Sequence, residues 1–364
     1  MSRVVCKIDL GQLKRNLAVV KKHAADCRIM PVLKYDAYGM GADAVCNTLR
    51  TAGIRRYAVA TLDEALALRT AGVEVQLLSG MTADEIPGAV AAGFILPVCD
   101  SEMARRISAE AVRQQRQVRV TVKLDTGMGR LGFLPETEME QIVSALALPG
   151  ICRDGLCAHF AVADEPDMEF SRSQIFRFCK ALTGLNEAGF DFVNIHHAAS
   201  DGILNIPEAV MPPFNLVRAG CALYGKDFSG ECRQIISLAT TIVSLRQLPA
   251  GATVGYGRTF TAKQAIRTAV IPAGYADGVP LFLSNRGHVL VRGTACPVIG
   301  RVSMDYTVID VSALPPLSAG EKVTLLGQDG EAAITVADWA AWKGSHHHDI
   351  WCAIGNRVKR IYSE

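Results

Sequence analysis

From Ile29 to Ala219 the chain repeats one unit: a short apolar run, a turn, then a segment with helical composition. The runs are Ile29–Leu33, Tyr57–Ala60, Val75–Leu78, Phe94–Val98, Val118–Leu124, Gly155–Ala158, Phe192–Ile195 and Leu216–Ala219. Segments such as Asp63–Thr70, Ala83–Ala91, Ser101–Gln115, Glu136–Leu146 and Met168–Glu187 separate them. A strand buried on both faces reads as a continuous apolar run, and parallel strands need crossovers. Eight such units in roughly 200 residues predict a (β/α)8 TIM barrel. A doubly wound open sheet competes, but no G-x-G-x-x-G loop supports it.

The pattern changes after about Gly230. Ile235–Leu248, Arg267–Ile271, His288–Val291, Tyr306–Val311, Lys322–Leu326 and Ala333–Val336 are β-rich runs divided by glycines and prolines, and only Ala337–Trp342 looks helical. A C-terminal β-domain is expected over 231–364, joined by the N-terminal strand within 1–9, with the barrel over 10–230. Asp9 is placed to cap a helix running to about Ala25.

A chain of 364 residues exceeds one hydrophobic core. A net charge of +2 argues against nucleic acid or an anionic membrane as partner. The 11 cysteines are scattered, and several (Cys99, Cys157, Cys221) lie inside apolar runs, so they read as reduced core residues in the cytoplasm. No Cys-x-x-Cys pair exists, and His346–His348 reads as a solvated loop, so no metal is expected. No apolar run reaches about 18 residues. The polypeptide reads as soluble, either by itself or as the cytoplasmic part of a longer protein with a membrane domain.

In a barrel of this kind, chemistry gathers at the carboxyl ends of the strands. Those ends carry Lys34, Lys123 with Arg130 nearby, His159, then His196, His197 and Ser200, then Arg218 and Gly220. Lys34 follows Pro31-Val32-Leu33 and precedes a tyrosine- and glycine-rich turn. Burial there would lower its pKa, as a Schiff-base amine requires. Ser200 and the nearby glycines suit a phosphate, since backbone N–H groups need close approach. A Schiff-base lysine opposite a phosphate cradle is what pyridoxal phosphate needs.

Val32-Leu33-Lys34-Tyr35-Asp36-Ala37-Tyr38-Gly39-Met40-Gly41 resembles the cofactor-lysine motif of alanine racemases. Lys123-Leu124-Asp125-Thr126-Gly127-Met128-Gly129-Arg130-Leu131-Gly132, Gly255-Tyr256-Gly257, Gly274-Tyr275-Ala276-Asp277-Gly278 and Gly300-Arg301-Val302-Ser303-Met304-Asp305 resemble further motifs of that family. The resemblance implies a fold-type III pyridoxal 5'-phosphate enzyme acting on a small amino acid, a head-to-tail homodimer with shared active sites. It makes Lys34 the cofactor lysine and one base, and the partner subunit's Tyr256 the other. Tyr38, Ser200 and Gly220 become phosphate contacts, and Arg218, backed by His196, the partner of the pyridine nitrogen. His159 joins an arginine in a cationic neighbourhood for Tyr256. Arg130, Tyr275, Met304, Asp305 and Asn356 become substrate-binding residues, and Lys123 a lysine often carbamylated.

One departure concerns the substrate. Where the family reads Ile-Ser-Tyr-Arg, this chain reads Ile354-Gly355-Asn356-Arg357. Asparagine is shorter and offers a donor and an acceptor, which suits a hydroxymethyl group. The same feature occurs in the racemase domains of membrane-bound serine racemases of vancomycin-type resistance, which the chain resembles. The expectation is serine racemisation, with alanine also accepted, supplying D-amino acid for peptidoglycan precursors. An ordinary alanine racemase is the alternative. A decarboxylase, or a non-catalytic pyridoxal phosphate binder, is more remote.

Overall fold

The computed structural model describes residues 3–226 and 230–364. It divides into two compact units, one made of Leu13–Ala37 with Ala42–Arg233, the other of the chain up to Gln12, Tyr38–Gly41 and Gln234–Glu364.

The chain opens with β1 (Val5–Asp9) and α1 (Leu10–His23), whose first turn is capped by the Asp9 carboxylate accepting from the Gln12 N–H at 2.6 Å. The barrel strands follow as β2 (Arg28–Pro31), β3 (Arg56–Val59), β4 (Glu74–Leu77), β5 (Leu96–Val98), β6 (Val118–Lys123), β7 (Ile151–Cys157), β8 (Asn194–His196) and β9 (Leu216–Ala219). All are parallel neighbours in sequence order, and β2 pairs with β9 to close the ring. Between them run α2 (Lys34–Gly39), α3 (Ala42–Thr51), α4 (Leu62–Leu68), α5 (Ile86–Ala92), α6 (Ser101–Arg113), α7 (Met139–Leu146), α8 (Glu169–Glu187), α9 (Ser200–Asn205) and α10 (Cys221–Tyr224).

Local chemistry explains where the helices begin. Thr61 and Glu64 close a reciprocal capping box on α4, and the Asp100 carboxylate accepts from the Met103 N–H at 2.7 Å to start α6. In β6 apolar and polar residues alternate: Val118, Val120 and Val122 are buried on one face, and on the other Thr121 and Lys123 are buried beside the partly exposed Arg119. Cys99, Cys157 and Cys221 are likewise buried.

The second unit is β-rich. It holds β10 (Ile236–Thr241), β11 (Ser244–Leu248), β12 (Thr253–Val254), β13 (Phe260–Thr261), β14 (Ile266–Ile271), β15 (His288–Val291), β16 (Thr294–Pro297), β17 (Thr307–Asp310), β18 (Lys322–Asp329), β19 (Ala332–Ile334) and β20 (Lys359–Ser363). The main sheet runs β16-β15-β18-β10-β1-β20, with β19 on β18, and β11-β14-β17 forms a second sheet. The fold is therefore a TIM barrel followed by a C-terminal β-domain.

His346–His348 is not the solvated loop expected. It opens α12 (His347–Cys352), which follows α11 (Val336–Lys343), and Trp351 on that helix is 1 % exposed. Burying an indole stabilises a short helix that local propensity does not select. No helix of the described residues is long and apolar enough to cross a membrane.

Candidate active site

β2 ends at Pro31, and Lys34 opens a turn that no periodicity could suggest. Tyr35, Asp36, Ala37 and Tyr38 all have φ between +51° and +58°, so α2 is wound left-handed. Such a turn strains each side-chain-bearing residue by about 1–2 kcal/mol and persists only where its surroundings over-determine it. Glu64 and Asp36 supply part of that determination: Glu64 accepts from the Tyr35 and Ala60 N–H groups at 2.5 and 2.8 Å, and Asp36 from Ala42 at 2.7 Å. Lys34 is exposed here, contrary to the burial expected. It lines an open cavity past the strand end.

That cavity, about 260 Å³, lies at the carboxyl ends of the strands and is lined by Lys34, Lys123, Arg130, His159 and Arg218, with Leu78, Ser79, Leu131, Cys157 and Ala158. Its lining carries cationic side chains and no carboxylate, a donor set made for an anion. Lys123 is buried, and burial, assisted by Arg218 and Arg130, lowers its pKa against the opposing pull of Cys157.

Arg218 is held from several sides. Its Nη1 contacts His196 Nδ1 at 2.5 Å, and its Nη2 donates to the carbonyls of Ala158 and His197, both at 2.8 Å, and to His159 Nδ1 at 3.1 Å. Two imidazoles that accept from a guanidinium at Nδ1 must be neutral. The charge balance agrees: burial first, then Arg218, pushes both His196 and His159 well below the usual histidine range. His159 thus adds no positive charge to the cavity, unlike the cationic role expected of it. Among the described residues the Arg218 Nε–H makes no hydrogen bond, which leaves one donor for a ring nitrogen.

After β8 and β9, the Ser200 hydroxyl accepts from the N–H groups of Gly220 and Ala222 at 3.0 and 3.2 Å. A hydroxyl and two amides meet there, as a phosphate contact requires. The lysine amine, the spare guanidinium N–H and this cluster fit pyridoxal phosphate. Tyr38 is buried, its ring 5.5 Å from His348 and 6.1 Å from Trp351.

The remaining expected residues belong to the β-rich unit. Tyr256 is 71 % exposed in the turn after Gly255, and Tyr275 and Met304 are also exposed. Arg357 binds both Asp277 oxygens at 2.7 and 2.8 Å and Asp305 at 2.8 Å, joining three glycine-rich motif segments. Asp305 thus serves Arg357 within the chain, a use different from the substrate contact expected of it. Asn356, next to Arg357, is exposed. Leu78, Ser79 and Cys157 were missed as lining residues, although their place at strand ends was a usable signal.

Residues 8–227 match the alanine racemase N-terminal domain, and residues 235–362 the alanine racemase C-terminal domain. The chain belongs to the alanine racemase family. It is similar to the alanine racemase of Syntrophobacter fumaroxidans, 38% identical over 368 residues that cover 98% of this chain and 97% of the other. Among solved structures, the alanine racemase of Streptomyces lavendulae superposes with a TM-score of 0.93 at 31% identity, covering 100% of this chain and 98% of that one. The Bartonella henselae alanine racemase, solved with covalently bound pyridoxal phosphate, superposes with a TM-score of 0.90 at 26% identity over 100% of both chains.

Proposed function

We propose that the protein is a cytoplasmic, pyridoxal phosphate-dependent amino-acid racemase, a homodimer that interconverts L- and D-alanine. The observation that carries this is the cavity at the barrel mouth, lined by Lys34, Lys123, Arg130 and Arg218 and by no carboxylate, with one guanidinium N–H to spare. Lys34 would hold the cofactor, Ser200, Gly220 and Tyr38 its phosphate, and Arg218 its ring nitrogen. Bound there, the cofactor supplies the electron withdrawal that makes the substrate's α-hydrogen acidic.

The protein's own groups do the rest. A guanidinium keeps its proton at working pH, so Arg218 donates to the ring nitrogen without protonating it and moderates the withdrawal. Arg130 binds the substrate carboxylate, and Lys123 behind it is the candidate for carbamylation. Inverting a carbon centre needs proton removal on one face and return on the other. Lys34 serves one face, and the partner subunit's Tyr256 the opposite one. Met304 offers a backbone N–H to the carboxylate in the partner's site.

The test is spectroscopic and chemical. Purified protein is expected to show a visible cofactor band that borohydride abolishes and Lys34→Ala lacks. L-Alanine should become D-alanine, with α-hydrogen exchange from solvent. Release of carbon dioxide would make it a decarboxylase, and a band without exchange a non-catalytic binder.

Asn356 supports a second reading, serine as substrate, which the sequence pattern alone puts first. The relatives above are named alanine racemases, and that favours alanine. Comparing kcat/KM for the two amino acids before and after Asn356→Tyr separates the readings. An unchanged serine-to-alanine ratio would end the serine reading.

A further inference from the structure

The loop that carries Arg130 is organised by a side chain with no role so far, Asp125. Two main-chain bonds pin its base: Asp125 N–H donates to the Phe133 carbonyl at 2.8 Å, and Phe133 N–H to the Lys123 carbonyl at 2.9 Å. Gly132 makes that closure feasible, because at φ +115° a Cβ would stand 2.7 Å from the Lys123 oxygen. From outside, α8 holds the next residue, with Arg177 donating to the Thr126 carbonyl at 2.7 Å and Gln174 to its hydroxyl at 3.2 Å.

Inside the loop the Asp125 carboxylate does the work of a missing ladder. It is 5 % exposed, and it accepts from the N–H groups of Gly127 at 2.9 Å, Gly129 at 3.0 Å and Arg130 at 2.8 Å. The first two bonds fall on Oδ1 and the third on Oδ2. Burial works to raise its pKa, and the amides of Gly129, Gly127 and Arg130 outweigh it, so the group stays ionised.

This arrangement has a consequence for Arg130. The acid five residues away in the same motif is the natural ion-pair partner for a guanidinium. Here its lone pairs are taken by amides, including that of Arg130 itself. The Arg130 side chain lines the cavity and makes no ion pair among the described residues. We propose that Asp125 is a positioning residue for substrate recognition: it fixes the backbone of Arg130 through Oδ2 and leaves the guanidinium to a ligand carboxylate. This rests on the racemase reading above, in which that ligand is the amino-acid substrate.

Asp125→Asn tests the role. The amide keeps one acceptor oxygen for Gly127 and Gly129, but meets the Arg130 N–H with another N–H. Losing one charge-assisted hydrogen bond predicts a rise of about tenfold in KM for alanine. The inhibition constant of propionate, a carboxylate without an amino group, should rise by the same factor. The kcat should stay within about threefold of wild type, and the cofactor's absorbance should not move. Asp125→Glu keeps every acceptor lone pair and should restore KM most of the way. In an Arg130→Ala background, Asp125→Asn should add nothing to KM.

A merely structural role would lower the melting temperature and leave KM and propionate binding alone, and that result overturns the proposal. So does an additive loss in the Arg130→Ala background, or equal KM values for the Asn and Glu variants. Wild-type protein with no racemase activity would sink the functional reading, and this role with it. An active wild type with an unmoved Asp125→Asn variant would sink this role alone.

Discussion

Acid should destabilise this protein well above the carboxylate range, because of two imidazoles sealed in the barrel. His196 and His197 are both 0 % exposed, and burial, followed by the field of Arg218, drives both well below the ordinary histidine value of 6.5. The unfolded chain protonates them near pH 6.5 while the folded chain does not. The unfolded state therefore binds more protons as pH falls, and stability drops with it. Their full contribution is present above about pH 7.5 and declines steadily below about pH 6.5. At pH 5.5 each neutral imidazole costs about 1.4 kcal/mol, so about 3 kcal/mol together. His159 adds to this with the same sign.

His197→Phe isolates one of the two. The His197 ring lies 3.9 Å from the Phe160 ring, 5.4 Å from Phe178 and 6.1 Å from Phe214, so the site already suits a benzene ring. The replacement gives up one long contact, 3.4 Å, to the Thr126 hydroxyl, and it removes a buried Nδ1 that has no partner. Urea unfolding followed by circular dichroism at pH 7.5 and 5.5 would measure both proteins. The drop between the two pH values should be smaller in the variant by about 1.4 kcal/mol, a midpoint difference of about 0.5 M for an m-value near 3 kcal/mol/M. Equal drops in the two proteins would show that His197 titrates alike folded and unfolded, and would refute the reasoning.

Two further outcomes concern the barrel's seams. In Gly155→Ala a Cβ would lie 2.6 Å from the Asn194 carbonyl and 3.3 Å from the Thr121 hydroxyl, wedging β7 from β8, with an expected cost of about 2–3 kcal/mol; an unchanged melting temperature would contradict that. Next to Gly155, the Asp154 carboxylate binds Arg56 at 2.5 Å, and Arg56 also binds Gln76 at 2.6 Å, all three buried. Arg56→Met should cost about 3 kcal/mol by leaving the buried carboxylate with Asn194 at 3.0 Å and a more distant Arg119 at 3.8 Å, and adding Asp154→Asn should recover most of it. A double variant as unstable as the single one would assign the loss to packing, not to charge.

The barrel was legible because its signal is local. A barrel strand is covered outside by helices and inside by packed side chains, so its apolar residues announced each strand, although β7 starts at Ile151 and not at Gly155. The short strands β12, β13, β16 and β20 carried no such signal. Residues of β20 are defined by partners far away in sequence, as Val5 pairs with Lys359. The site was legible in outline for the same reason: strand ends are countable, and Lys34, Lys123, His159 and Arg218 meet where counting put them.

Alone, then, the order of residues determined the alternation of strands and helices, the change to β-structure, and a set of cationic groups at one rim. Only tertiary structure decided the left-handed turn after Lys34, the helix beneath Trp351, the neutral state of His159 and His196, and the engagement of Asp125 by amides. Hydrophobic period is a property of neighbours along the chain. Protonation, handedness under strain and the choice of hydrogen-bond partner depend on what lies across space, and local sequence carries no record of that.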